Sequence, residues 1–473
     1  MASLSCDILV IGAGSGGLSV ASGASQMGAD VILLEAGEMG GDCLNAGCVP
    51  SKSLIAAAAA AQAQRTSAPF GVTASEPVVD YAAVQAHVAD VIATIAPVDS
   101  QERFEGLGVR VIRDWGRFVS KSQVEVGGDT ITARRIVVAT GSTPVVPPIE
   151  GLKDVPYLTS DTLWGLRTLP DHLLILGGGP IGMEMAQAHA RLGAKVTVVD
   201  AGPALNREDP EAAALVLQAV KADGVTIRDN TGVKKITGTE GRIEMEIGDN
   251  GETLTGSHIL VATGRRAAVE RLNLDAAGIE TENDAIKVDD RLRTTNRRVY
   301  AIGDVAGQGA FTHLAGYHAG VVIRSIVFGL PAKVRTDHIP RATYTDPELA
   351  QIGLTEAEAR DRYGDKVDIA RFDLSHNDRA IAQRRTTGFI KAMVHKGRPV
   401  GATIVCAEAG EHANFWALAL ANKLKMSQIS ATVSPYPTAG EIGKRVAGAY
   451  FSPRLFESRT VKTVVGLVQR WLP

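Results

Sequence analysis

The chain has 473 residues, 49 of them basic and 52 acidic, and a net charge of −3, which gives no electrostatic basis for a nucleic-acid partner. Its length exceeds one ordinary core and suggests roughly three domains, while 45% apolar and 21% charged residues are usual for a soluble globular protein. Four cysteines (Cys6, Cys43, Cys48 and Cys406) are few for a secreted chain relying on disulfide staples, so a reducing, cytoplasmic setting is expected. The N-terminus shows no signal-peptide pattern, and no uninterrupted apolar stretch of membrane-spanning length is read.

In chain order, residues 7–11 read as a buried strand. Gly12, Gly14 and Gly17 follow in G-x-G-x-x-G spacing, then a helix to about Gly28 and a second strand, 30–34, that ends at Glu35. The glycines suit a tight turn and close backbone approach to a pyrophosphate, the helix N-terminus supplies N–H donors, and the acid is placed for a ribose hydroxyl. The pattern recurs: a strand at 173–176, then Gly177, Gly179 and Gly182, a helix through 186–192, a strand at 195–199, and Asp200. In both copies the acid lies 18 residues past the last glycine. One such motif is weak; two in one chain argue for two dinucleotide-binding folds. Each unit closes on a near-identical segment, Ile136–Gly141 containing Thr140, and Ile259–Gly264. A further buried strand, 295–302, runs into Gly303-Asp304. From about Arg341 strands such as 388–394 and 400–405 alternate with helices such as 413–423, as in a separate α+β domain.

Between the first unit and an Ala-rich helix lies Gly40-Gly41-Asp42-Cys43-Leu44-Asn45-Ala46-Gly47-Cys48-Val49-Pro50-Ser51-Lys52. Pro50 suits a first helical turn. A cysteine at a helix N-terminus has its thiolate stabilised, which favours redox chemistry. A structural disulfide is the bland alternative; half of a zinc site is another, but no second cysteine pair supplies the remaining ligands. Lys52, one turn beyond Cys48, and Glu184, early in the second nucleotide helix, read by themselves as two surface charges. Cys406 reads as core.

Taken together and in order, these segments resemble the pyridine nucleotide-disulfide oxidoreductases, a family that includes dihydrolipoyl dehydrogenase, glutathione reductase and mercuric reductase. The resemblance implies two Rossmann-like domains plus an α+β dimerisation domain: residues 1–150 with 268–340 for FAD, 151–267 for NAD(P), and 341–473 for the interface of a homodimer. It places Gly12, Gly14, Gly17, Glu35, Lys52, Thr140, Gly141 and Asp304 at FAD, and Gly177, Gly179, Gly182, Asp200 and Gly264 at NAD(P)H. It also implies Cys43 and Cys48 as the redox-active disulfide, Lys52 paired with Glu184 near the flavin, and Tyr436 and Glu441 acting at the partner's thiols. Asp200 favours NADH, because a carboxylate there repels a 2′-phosphate; Arg207 nearby is the counter-indication.

In glutathione reductase and dihydrolipoyl dehydrogenase a His-Pro-Thr segment supplies the proton-moving group. Here it is Tyr436-Pro437-Thr438, with Glu441 retained. A tyrosine of pKa about 10 is a poor proton shuttle near neutrality, which weakens the dihydrolipoyl dehydrogenase reading. Mercuric reductase has Tyr at that point, and segments 151–157, 186–193 and 207–210 are similar to it; Tyr157 would then form a pair with Tyr436, or else be a half-buried loop aromatic. The C-terminal cysteine pair of mercuric reductase is missing from this sequence. No metal ligand set is read. The expected activity is electron transfer from NAD(P)H through FAD and the Cys43–Cys48 disulfide to a small disulfide or a thiol-bound metal. Dihydrolipoyl dehydrogenase, or an NAD(P)H oxidase or quinone reductase, are the alternatives.

The last segment carries Val461, Val464, Val465, Val468 and Leu472 at helical spacing, with Trp471 near the end and Lys462 and Arg470 flanking the stripe. Such a stripe more often packs on its own domain. The other reading is docking at a membrane or a membrane protein, with the protein favoured because the net charge is negative.

Overall fold

The computed structural model describes residues 2–472. They divide into two compact units, residues 1–202 with 225–334, and residues 203–224 with 335–473.

The first unit holds a sheet that is parallel except for an antiparallel edge, residues 117–118 and 123–126 against Asp129–Val138, and a second, parallel sheet with the same central arrangement. Strand Ser3–Ile11 is flanked in parallel by Val31–Leu34 and Asp129–Val138, and Val299–Ala301 adds to the outer side of the latter. Its β-branched and leucine residues are buried on both faces, as parallel strands covered on each side require. In the second sheet His172–Leu176 is flanked by Lys195–Val199 and His258–Val261. Ile11 pairs with Leu34, and Leu176 pairs with Val199, so each strand ends level with the strand that carries its acid. The helices that follow the glycine turns are Ser15–Gln26 and Pro180–Arg191. The Ala-rich segment is the helix Cys48–Arg65, which packs against both Tyr81–Asp99 and Pro180–Arg191.

The segment Tyr81–Gly106 is one long, largely apolar stretch of helix, although its apolar runs are not continuous. By length and composition it qualifies as long and apolar enough to cross a membrane, although little of it is buried. Gln85, His87 and Asp90 interrupt its apolar runs.

The second unit is a five-stranded antiparallel sheet. Its centre is the hairpin Phe389–His395 and Arg398–Cys406, flanked by Val367–Asp373 and by Glu348–Gly353 with Pro340–Thr343. Helices Ala409–Ala421 and Ile442–Phe456 cover it, burying Trp416, Ile442, Val446 and Ala447. Cys406 lies in this core at 1% exposure. The helix Arg459–Trp471 departs from the packed reading: none of its residues is buried, because the core beneath the sheet is already closed by Ile442–Phe456.

Helix Pro210–Ala222 begins at Asp209, whose carboxylate accepts from the backbone N–H groups of Glu211 and Ala212. The same carboxylate lies 2.8 Å from Lys391 Nζ, and Lys391 is also 2.8 Å from Glu356. The Asp209 and Lys391 side chains are both almost wholly buried. Removing one member of such a pair leaves an uncompensated charge. Lys391→Met is therefore expected to lower stability by about 3 kcal/mol, measured as a drop in the urea midpoint at unchanged slope.

Candidate active site

The two glycine turns show why the residue type is required. A Cβ on Gly17 would lie 1.9 Å from the Gly12 carbonyl oxygen, and one on Gly182 would lie 2.0 Å from that of Gly177. The helix starts can close onto the strand ends only without side chains there. The middle glycines, Gly14 and Gly179, are different: a Cβ on either would meet nothing within 4 Å. The backbone at those two points faces open space beside a helix N-terminus, which suits a pyrophosphate.

The two acids make matching contacts. Glu35 accepts from the N–H of Ala13 at 2.6 Å and of Gly37 at 2.7 Å. Asp200 accepts from the N–H of Gly178 at 2.6 Å and of Gly202 at 2.8 Å. Each carboxylate thus fixes its glycine turn and stands at the end of the second strand. Thr140 Oγ1 donates to the Ala268 carbonyl, while Gly141 and Gly264 take positive φ where the two closures leave their sheets.

The cysteine segment is held by its own backbone and by a neighbour. Gly41–Asn45 forms a short helical turn, the Gly47 N–H donates to the Asp42 carbonyl, and Trp164 Nε1 donates to the Ala46 carbonyl at 2.8 Å. Cys43 lies in that turn and Cys48 is the first residue of Cys48–Arg65. The Cys48 thiol is lowered to about 6, first by a hydrogen bond from Cys43 acting against burial, then by the Thr312 hydroxyl and the Lys52 ammonium. The Cys43 thiol is pushed the opposite way, chiefly because it donates to Cys48. In the reduced pair the negative charge therefore rests on Cys48. Lys52 Nζ lies 2.8 Å from Glu184 Oε2, and the Glu184 side chain is 7% exposed. The two residues that read alone as surface charges form one partly buried ion pair.

Several residues here had no sequence signal. Thr312, the first residue of helix Thr312–Ile326, places its Oγ1 3.3 Å from Cys48 Sγ. Arg265, directly after Gly264, donates to Asp42 at 2.9 Å, to the Ser142 hydroxyl and carbonyl, and to Ser160. Ser142 donates in turn to Asp304 at 2.6 Å. Burial raises the Asp42 carboxyl despite Arg265, with Asp161 and Asp304 adding to the rise. His318 is fully buried, and its Nδ1 accepts from the Gly303 N–H, which fixes the turn carrying Asp304. Burial lowers this imidazole to about 4, so it is neutral at physiological pH, as an Nδ1 acceptor must be. The position of Arg265 beside a closure glycine was the one available clue; Thr312 and His318 carried none.

Within the chain the two tyrosines make other contacts. Tyr157 forms the short strand Tyr157–Leu158 and packs against the apolar cluster that includes Leu174 and Ile259. Tyr436 is 67% exposed and its hydroxyl donates to Asp378 at 2.6 Å, a contact that raises its pKa further. Glu441 is buried, accepts from Asn377 and pairs with Arg445. Among the described residues no group of three or more His, Cys, Asp or Glu side chains suits a metal.

Thr312→Val removes a donor to the Cys48 thiolate and is expected to raise that thiol's pKa by about one unit, since hydrogen bonds to charged groups contribute roughly 1.5 kcal/mol or more. Because the folded enzyme holds Cys48 low, the thiolate is present above about pH 6 in the parent chain, and in the variant it would be lost at a higher pH as the solution is acidified. The pH midpoint of the thiolate–flavin absorbance in the reduced holoenzyme measures this, with Thr312→Ser keeping the parent value.

Comparison with known proteins agrees with this geometry. Residues 6–319 match the model for pyridine nucleotide-disulphide oxidoreductases, and residues 339–447 match that family's dimerisation domain, which supports a homodimer. A mercuric reductase from Streptomyces lividans is 33% identical, over 94% of this chain and 96% of that protein. A dihydrolipoyl dehydrogenase from Geobacillus stearothermophilus is 34% identical, over 93% and 95%. Among solved structures, the Cu(II) complex of the HOCl-induced flavoprotein disulfide reductase RclA from Escherichia coli superposes with a TM-score of 0.83 at 27% identity, covering 94% of this chain and 99% of that one. The family uses FAD and NAD(P)H. The chain belongs to the pyridine nucleotide-disulphide oxidoreductase family and is an FAD-dependent oxidoreductase of the flavoprotein disulfide reductase type.

Proposed function

We propose that this enzyme reduces a small disulfide with electrons from NADH, in a reducing compartment such as the cytoplasm. The observation that carries this reading is the polarised thiol pair, with the negative charge on Cys48 and the proton on Cys43. Bound FAD would supply the two-electron link between the nicotinamide and the Cys43–Cys48 disulfide. FAD would be held by residues 1–150 and 268–340, and the nicotinamide nucleotide by 151–267. Gly12, Gly14, Gly17 and Glu35 would hold the first nucleotide; Gly177, Gly179, Gly182 and Asp200 would hold the second. Lys52, fixed by Glu184, presents a cation beside Cys48.

Cys43 gives up its proton and its sulfur attacks one sulfur of the acceptor, releasing the first acceptor thiol. Cys48 then attacks the Cys43 sulfur, releases the second thiol and restores the Cys43–Cys48 disulfide. Per turnover, NADH and one proton are consumed and two thiols are formed.

Two features narrow the acceptor. Cys6 and Cys406 are buried, with their thiols pushed up to about 12. Cys43 and Cys48 are therefore the one accessible thiol pair among the described residues, whereas handing on a free thiophilic metal calls for two thiolates at each stage. Tyr436, at the position where relatives have a proton-moving histidine, donates to a carboxylate and is poorly placed to supply or remove a proton near neutrality. An acceptor with an acidic leaving thiol needs least help of this kind. A thiol-bound metal is the second reading, favoured by the similarity to mercuric reductases.

Cys43→Ser is expected to reduce NADH-dependent turnover of disulfides at least about a thousandfold, as loss of an essential nucleophile does. NADH oxidation with ferricyanide or oxygen should persist. Equal loss with both acceptor types, or disulfide turnover at the parent rate, would remove the thiol relay from the reading. A panel of low-molecular-weight disulfides, lipoamide and Hg(II) identifies the acceptor.

Coenzyme choice rests on Asp200, whose carboxylate stands where a 2′-phosphate would come. NADH should show a kcat/KM at least about tenfold above NADPH, and Asp200→Ser should reduce that ratio. A higher kcat/KM with NADPH would show the assignment wrong.

A further inference from the structure

The helix Arg459–Trp471 separates its residues into two faces. At 3.6 residues per turn, Val461, Val464, Val465, Val468 and Trp471 share one side, and Arg459, Lys462, Gln469 and Arg470 the other. Beyond the half-buried Val461, the apolar side is uncovered among the described residues: Val464, Val465 and Val468 are exposed, and Trp471 is 81% exposed. The surface continues into the last turn of the preceding helix, where Leu455 and Phe456 are also exposed. The first turns of that helix, with Ile442, Val446 and Ala447, already seal the domain core. The exposed apolar face therefore is not a displaced part of it.

Charge narrows what covers this face. The tail helix carries Arg459, Lys462 and Arg470 and no carboxylate. Residues 442–472 hold six basic side chains (Lys444, Arg445, Arg454, Arg459, Lys462 and Arg470) against one acidic, Glu457, in a chain whose net charge is −3. Arg445 and Arg454 are paired within the domain, with Glu441 and Asp368; the three cations of the tail helix have no ion-pair partner among the described residues. The bulk charge, which disfavours anionic lipid, is thus locally reversed on this element.

We propose that the tail helix lies in the plane of an anionic lipid bilayer and holds the reductase at the membrane surface. Its valines and Trp471 enter the acyl boundary, and Arg459, Lys462 and Arg470 face the anionic headgroups. An exposed apolar face opposite a cationic face, with an aromatic residue at the end, is the pattern of interfacial helices. Thirteen residues span about 20 Å, short of the ~30 Å hydrocarbon core, so the helix rests on the bilayer and does not cross it. The inference is independent of the acceptor and coenzyme assigned above.

Flotation of the full-length FAD-loaded enzyme tests it. The vesicles are phosphatidylcholine mixed with phosphatidylglycerol, or phosphatidylcholine alone, each at low and high salt. The parent enzyme should float with the anionic vesicles, and salt should release it. Val465→Asp with Val468→Asp should lower the bound fraction at least about tenfold. Lys462→Glu with Arg470→Glu should lower it by about tenfold or more and flatten the salt dependence. NADH oxidation with ferricyanide and sedimentation in the absence of lipid should match the parent for both variants, which shows that the domains remain folded and the dimer intact. Failure of the parent enzyme to float on anionic vesicles overturns the proposal, as does parent-level flotation by the double Asp variant. If the double Asp variant sediments as a monomer where the parent is a dimer, the face belongs to a second copy of the chain and the proposal is equally wrong.

Discussion

The contact between a helix start and the strand before it governs this enzyme. At Gly17 and Gly182 the backbone of the first helical turn lies so near the carbonyl of Gly12 or Gly177 that a β-carbon would overlap it, at 1.9 and 2.0 Å. That approach aims each helix N-terminus along its strand and leaves the middle glycine facing open space. It also fixes where Pro180–Arg191 runs, and that helix carries Glu184. Since Cys48–Arg65 packs against it, the position of Glu184 sets that of Lys52, and Lys52 lies one turn beyond the reactive thiol. A steric constraint in the nucleotide fold is thereby transmitted to the electrostatics of the disulfide.

The electrostatics have a second source. Cys48 begins a helix, where N–H groups and the helix dipole favour an anion, and it also has Cys43, Thr312 and Lys52 close by. Each of these favours the thiolate, and burial opposes them. Asymmetry follows: the two cysteines, five positions apart, share one hydrogen bond in which Cys43 donates and Cys48 accepts. On the far side of this turn, Asp42 is held by Arg265, and Arg265 also reaches Ser142, the donor to Asp304. The loop that carries the thiols and the turn that carries Asp304 therefore share one guanidinium, and neither can shift without disturbing the other.

Much of this was legible in the sequence because the signals are local. Glycine spacing, the acid at the end of the second strand and the Cys–Pro segment each report a turn and its neighbours within about 25 residues. The repeat strengthened the reading, since the same local rules applied twice. What escaped depends on contacts made across the chain. Ser142 and Asp304 are 162 positions apart, Arg265 and Asp42 are 223, and Thr312 and Cys48 are 264. No periodicity marks a threonine or arginine for such a role. Lys52 and Glu184, 132 positions apart, came forward only through the resemblance to a family. Periodicity gave the tail helix its amphipathic character but not its environment, because the pattern is the same whether the apolar face meets a core or a membrane.

The replacement of histidine by Tyr436 bears on the chemistry in a way that its pKa alone does not express. A neutral imidazole accepts a proton through one ring nitrogen while donating through the other, so it can serve both directions of a thiol reaction. The Tyr436 hydroxyl is committed as a donor to Asp378, and that carboxylate raises its pKa. Proton delivery from it would leave phenolate beside carboxylate, two like charges at hydrogen-bond distance, which is unfavourable even at an exposed site. Glu441 is itself engaged, accepting from Asn377 and paired with Arg445. Under the function proposed above, an acceptor whose departing sulfur is already stable as an anion would ask least of this arrangement. On the same reading, the reverse reaction, deprotonation of an ordinary dithiol, would be the harder direction.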